Sequence, residues 1–227
     1  MTDPDALRAA AETMRAVRER CVWSQRITHR DLVPYLIEES HEVIDAVESG
    51  TRADLREELG DLLWQVLFHA AIAAQDPEDP FDIDDVARTL TEKMVRRHPH
   101  VFADAVATTP EEVLVHWNAA KAAEKRERRS VLDGVPSGMP SLARAQKLLG
   151  RAAQVLPPGA EPNPRAPESE PGSDGAQALP VPASEAELGD LLLTLTAIAR
   201  ANGWDAERAL RERLRSLEDE VRAAEGD

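Results

Sequence analysis

Apolar side chains recur at helical spacing over residues 5–20 and again over 31–48, where Gly50 closes the second stretch. Thr51 followed by Asp54 has the form of a capping box and opens a third helix over 53–75, so the second and third helices form a hairpin. A loop rich in Asp and Pro, residues 76–80, leads into a helix at about 82–97. His98-Pro99 stops it, because proline disfavours helical geometry in the residue before it. Thr109-Pro110-Glu111-Glu112 supplies a cap, a proline at the first helical position and an acidic first turn for a helix over about 110–129. Another short helix fits 140–154. No alternating strand pattern occurs, so the predicted class is all-α.

Half of the 16 prolines fall in residues 156–183 with few large apolar side chains. Such a stretch cannot offset the entropy of ordering and reads as a flexible, Pro-rich linker. Helical periodicity returns from Ser184 to Ala224 with a break at Asn202-Gly203. The segment Glu58-Leu59-Gly60-Asp61-Leu62-Leu63 recurs there as Glu187-Leu188-Gly189-Asp190-Leu191-Leu192, which implies an internal duplication. The expected organisation is a first domain over 1–155, the linker, and a smaller helical pair over 184–227.

Composition narrows the function. With 27 Lys+Arg against 42 Asp+Glu, a formal charge of −15, the chain is a poor candidate for a nucleic-acid binder relying on a broad basic face. One cysteine, Cys21, excludes an intrachain disulfide framework and fits a reducing cytoplasm. The first residues have no signal-peptide pattern, and Gln65 and His69 interrupt the longest apolar run, so no membrane partner is expected.

On the helix over 31–48, Leu36, Val43 and Val47 form a narrow apolar arc expected to face the core, with Glu39 at its border and Glu42 about 60° further round. The next helix is apolar almost all round, except that Glu58, Asp61, Gln65 and His69 share one stripe. A helix of that kind is expected to be buried, stripe included. Buried carboxylates are costly without a cation. Glu39, Glu42, Glu58 and Asp61, paired i,i+3 on adjacent helices, form an oxygen cage suited to Mg²⁺, with Mn²⁺ as a substitute. Glu38 is an outer carboxylate or water-orienting base, and His69 either supports a ligand carboxylate or is a satisfied buried histidine. The bland alternative is a solvated acidic face on one helix and an acidic first turn on the other. A di-iron carboxylate bundle needs a Glu-x-x-His pair on each of two helices, and only Glu38 to His41 has that spacing.

Lys93 and Arg97 stand one turn apart with Arg96 beside them, and Trp117 and Lys121 are spaced the same way. Cationic forks suit phosphate, and an indole face suits a base, so the set reads as a nucleotide clamp. Otherwise the basic residues serve a helix C-terminus and Trp117 is core.

Together these residues resemble the MazG family of nucleoside triphosphate pyrophosphohydrolases from about Cys21 to Ala153. The resemblance runs through Pro34-Tyr35-Leu36-Ile37-Glu38-Glu39, Leu55-Arg56-Glu57-Glu58-Leu59-Gly60-Asp61-Leu62-Leu63, Arg96-Arg97-His98-Pro99-His100-Val101-Phe102 and Val131-Leu132-Asp133-Gly134-Val135-Pro136. It implies an all-α, usually dimeric, Mg²⁺-dependent hydrolase that converts a nucleoside triphosphate to monophosphate and diphosphate, in nucleotide-pool housekeeping. By the same resemblance Glu39, Glu42, Glu58 and Asp61 hold magnesium, while Lys93, Arg97, Trp117 and Lys121 meet the nucleotide. The alternative is a non-catalytic regulatory protein that binds nucleotide and metal. Cys21-Val22-Trp23-Ser24-Gln25-Arg26-Ile27-Thr28-His29 departs from the family's C-P-W-D-x-x-Q-T-H, which bears on base selectivity. Aligning Phe81 with Trp204 puts Ser216 and Glu220 where Lys93 and Arg97 stand, and no E-E-x-x-E helix faces Glu187 and Asp190. The second copy is therefore expected to be catalytically dead.

Overall fold

In a computed structural model, which describes residues 5–124, 130–156 and 181–225, every regular element is a helix. The chain divides into two compact units, Met1–Glu124 and Lys125–Asp227. The first holds α1 (Ala6–Arg20), a 3-10 turn (Ser24–Arg26), α2 (Val33–Glu48), α3 (Arg52–Ala73), α4 (Ile83–Arg97), α5 (Pro99–Phe102) and α6 (Pro110–Ala123).

The α2–α3 hairpin positions the site, and its turn explains the register. A Cβ on Gly50 would stand 2.7 Å from the Ala46 Cα, so only glycine lets the chain turn this tightly off α2. Thr51 then accepts the Ala53 and Asp54 N–H groups while the Asp54 carboxylate accepts the Thr51 N–H at 2.7 Å, the reciprocal cap that the sequence predicts. Beneath the hairpin, Met14 of α1 and Leu32 pack on Leu67 and Phe68 of α3, with Ile27, Leu63 and Ile72 around them. Each such side chain contributes about 1.5–3 kcal/mol on burial.

Arg18 ties the approach to α2 in place. Its buried guanidinium donates to the Ser24 and Ile27 carbonyls and, at 2.9 Å, to Gln75 Oε1 beyond the end of α3. Burial without a carboxylate partner holds its pKa below the usual arginine value. On α4, Asp82 and Asp85 form a second reciprocal cap. Pro99 ends α4 as expected but also starts α5, since proline suits a first helical position as well as it breaks an interior one. Thr109 caps α6; residues 125–129, expected in that helix, lie outside the described residues.

The second unit holds α7 (Ser141–Ala152), α8 (Glu185–Ala201) and α9 (Ala206–Glu225). The sequence groups α7 with the first domain, whereas here it packs on α8 and α9. Its Gln146 amide donates to the Trp204 carbonyl at 2.8 Å and accepts the Ala206 N–H at 3.0 Å. Gly203, at φ 72°, makes the break between α8 and α9. Of the expected linker, residues 157–180 lie outside the described residues.

Candidate metal centre and nucleotide clamp

The α2–α3 hairpin brings the two carboxylate pairs together. One oxygen from each of Glu39, Glu58 and Asp61 lies within 4.8 Å of the others. Oxygens on opposite sides of one hard cation stand about 4–5 Å apart, twice the metal–oxygen distance. Glu42 is outside this triangle, yet its charge bears on both Glu39 and Glu58. It opens onto a shallow acidic pocket of about 250 Å³ shared with Asp45, Asp54 and Glu58. Burial first, then Asp61 and Glu42, pushes the Glu39 carboxyl above the usual range. Burial, then Glu42 and Asp61, does the same to Glu58.

Gln65 completes the inner wall. It is 5% exposed, and its Nε2 donates to Glu39 Oε1 at 3.4 Å, while its own Oε1 is buried with no partner. Three crowded carboxylates, two with raised pKa, and an orphaned amide oxygen form a donor set that suits a hard divalent cation. The site is less dry than the sequence implies. Glu39 and Glu58 are half-buried, but Glu38, Glu42 and Asp61 are exposed, because α2 and α3 cover only one side of the cluster. The arc of Leu36, Val43 and Val47, expected to face the core, is likewise open at Val47 and Leu36, and so are Leu59 and Val66 of α3.

Among the described residues His69 hydrogen-bonds no carboxylate, and its Nε2 is buried without a partner. Its ring stacks on His29 at 5.0 Å and 4°, with the two Nδ1 atoms 2.7 Å apart, so one donates and the other accepts. Burial, then the His29 charge, holds the His69 pKa below its usual value.

Arg96 and Arg97 meet Trp117 and Glu124 where α4 contacts α6. Arg97 is buried, with its guanidinium carbon 4.9 Å from the Trp117 ring centre, and Glu124 at the end of α6 grips it. Arg97 Nη2 and Nε donate to Glu124 Oε2 at 2.5 and 3.2 Å, and Arg96 Nη2 donates to Oε1 at 3.3 Å. Hydrogen bonding to Arg97 keeps the Glu124 carboxyl below the usual range. Arg97 covers one face of the Trp117 indole, and His98 packs edge-on to it at 5.3 Å. Lys93 is half-buried and makes no ion pair among the described residues, and Lys121 is half-buried on α6. No hydrogen bond among the described residues joins Arg96 or Arg97 to Glu39, Glu58 or Asp61.

Sequence reasoning missed Glu124, although it continues the Trp117, Lys121 stripe by one more turn. In the second copy, Ser184 Oγ accepts the Glu187 N–H and Glu187 Oε2 accepts the Ala183 N–H at 2.7 Å, so this glutamate is engaged at a helix start. Glu58 instead lies in the second turn of α3.

An all-helical fold carrying an acidic cluster fit for a divalent cation is the class that these features define. The family model described as MazG nucleotide pyrophosphohydrolase domain matches residues 27–102, which include the carboxylates and the end of α4. The chain is 47% identical over 215 residues to an uncharacterized 26.1 kDa protein in the blaB 3′ region of Streptomyces cacaoi, covering 95% of this chain and 81% of that one. It is 36% identical over 233 residues to a nucleoside triphosphate pyrophosphohydrolase of Escherichia coli K12, covering 99% and 88%. It is also 36% identical over 209 residues to the Thermotoga maritima nucleoside triphosphate pyrophosphohydrolase/pyrophosphatase MazG, covering 91% and 80%. The chain belongs to the MazG family of nucleoside triphosphate pyrophosphohydrolases. No helix among its described residues is long and apolar enough to cross a membrane.

Proposed function

We propose that this chain hydrolyses nucleoside triphosphates to the monophosphate and diphosphate, using Mg²⁺ held by Glu39, Glu58 and Asp61 with Glu42 at the margin. The observation that carries this reading is the carboxylate triangle, with a carboxylate oxygen of each residue within 4.8 Å of the other two and an unpartnered Gln65 oxygen in its wall. Bound there, Mg²⁺ supplies a concentrated positive charge that neutralises phosphate oxygens and acidifies water. Glu38, exposed on α2 beside Glu39, orients the attacking water and takes its proton. Lys93, Arg96, Arg97 and Lys121 bind the phosphates and offset the charge that develops during transfer. Trp117 keeps Arg97 in place. The second unit serves packing or regulation, since Glu187 is engaged in a helix cap and Ser216 and Glu220 align where Lys93 and Arg97 stand.

Exposed apolar side chains on α2 and α3, Ile37, Val47, Leu59 and Val66, support a homodimer in which a second copy covers the open side of the site. A housekeeping role in the cytoplasmic nucleotide pool is the biological setting of this reading, and Mn²⁺ is its expected substitute ion. The test is a nucleotide panel incubated with Mg²⁺ and analysed for products beside Glu58→Ala. Monophosphate plus diphosphate, lost in the variant, is the expected result. Orthophosphate alone, metal-independent turnover, or saturable binding without product would overturn it.

A further inference from the structure

The Arg97 guanidinium has five N–H donors arranged on two usable edges. Glu124 occupies the side edge with hydrogen bonds from Nε and Nη2, and the Trp117 ring lies against the guanidinium plane. Nη1 makes no hydrogen bond among the described residues, and the side chain keeps 11% exposure. A flexible arginine is thus fixed in orientation from two directions while one end of its fork is left for an incoming anion.

We propose that Glu124 is a positioning residue for nucleotide binding: it locks the Arg97 side edge against Trp117 so that the remaining fork meets a phosphate oxygen. This rests on the reading above that Arg97 binds phosphate. A carboxylate here looks counterproductive, because its charge opposes that of a phosphate. Geometry outweighs charge in this case. Arg96 shares the same carboxylate, so the trio keeps a net positive charge. Ordering a long side chain before the ligand arrives also removes an entropic cost from binding. Glu124 belongs to the end of α6 and Arg97 to α4, so the lock also ties the two helices together.

The two views differ in sign. If Glu124 acted only as an opposing charge, Glu124→Gln would lower KM. A positioning role predicts a KM about tenfold higher with kcat changed less than about threefold, because a glutamine cannot receive the same charged fork. The experiment uses the full chain and the triphosphate that a panel shows to turn over fastest. KM, kcat and melting are measured for wild type, Glu124→Gln, Glu124→Asp, Arg97→Ala and the Glu124→Gln/Arg97→Ala double variant. Glu124→Asp should recover part of the KM loss. Once Arg97 is absent, Glu124→Gln should change KM less than about twofold, which is the coupling that a merely structural role lacks. A lower KM in Glu124→Gln, or equal effects with and without Arg97, overturns the proposal. An unchanged KM in Arg97→Ala instead sinks the phosphate reading of Arg97 itself. Should Glu124→Gln fail to fold, Glu124→Asp decides: its shorter reach must raise KM, and a wild-type value refutes the lock.

Discussion

Replacing Gln65 by Met separates what the α2–α3 site costs the fold from what it gives a cation. Methionine has nearly the same length and volume, so packing changes little. Two polar terms disappear. The unpartnered Oε1 costs about 1–3 kcal/mol, and the long Nε2 donation to Glu39 returns at most about 1 kcal/mol. In a chelator the variant should therefore be more stable, by about 1 kcal/mol, or roughly 4 °C for a unit of this size. With Mg²⁺ the order should reverse. Wild type gains about 2.7 kcal/mol at one hundred times its dissociation constant. Removing a neighbour that orients a ligand carboxylate typically weakens metal affinity about 10–100-fold, which cuts the variant's gain to roughly 0.4–1.4 kcal/mol. Melting of both proteins in EDTA and in Mg²⁺ reads both effects. Crossing curves are expected. A variant that loses more than 1 kcal/mol in EDTA would show that the Gln65 oxygen is not a net liability. Equal Mg²⁺ gains would show that Glu39 needs no help from Gln65 in meeting a cation.

Three further expectations test the surroundings. Gly50→Ala forces a Cβ to 2.7 Å from the Ala46 Cα and should lower stability by about 1–3 kcal/mol, seen as a drop in the urea midpoint. The depressed pKa of His69 means that the folded ring resists a proton which the unfolded chain accepts once pH falls below about 6.5, so stability should decline from there toward lower pH. Melting from pH 7.5 to 5 should therefore narrow the gap between wild type and His69→Phe, and parallel curves would remove the stacked pair as the cause. Glu187→Ala with Asp190→Ala should leave turnover unchanged while costing the second unit about 1 kcal/mol of cap stability, measured by melting; a fall in kcat would restore a catalytic role to that copy.

Helix positions were legible because their punctuation is local. Thr51 with Asp54, Thr109 with Pro110, and Gly50 act on their own neighbours, and the helices begin and end within a few residues of where those signals place them. Arg18 left no such trace, since two of its partners are backbone carbonyls that every residue carries and the third, Gln75, is 57 positions away. His29 and His69 are forty positions apart and meet only through the fold. Within the site, i,i+3 spacing showed which carboxylates share a helix face, and the hairpin turn made the two faces meet. It could not tell that Glu42 would stand outside the closest triangle, because spacing along a helix fixes the face and not the reach of a side chain. The repeated hexapeptide shows the limit most plainly. Identical residues fall in the second turn of α3 but in the first turn of α8, where a glutamate is drawn to free N–H groups.

The apolar arc on α2, read as core-facing, is only partly covered within this chain, for a related reason. A helical wheel reports that a face avoids water and does not say what covers it. Within this chain α2 buries Ala46, while Val47 and Ile37 remain 65% and 54% exposed; Leu59 of α3 is 50% exposed. The hairpin thus buries Leu67 and Phe68 together with Gln65 on one side and leaves aliphatic side chains open on the other. A second copy covering that open side is the proposal, and Leu59→Asp tests it. In a symmetric contact the substitution is felt twice, and an unpaired carboxylate moved into apolar surroundings costs several kcal/mol, enough to dissociate the pair at micromolar protein. Sedimentation should show a dimer for wild type and a folded monomer for the variant. A monomeric wild type, or a variant of unchanged mass, would mean that this face is covered by something other than its own copy.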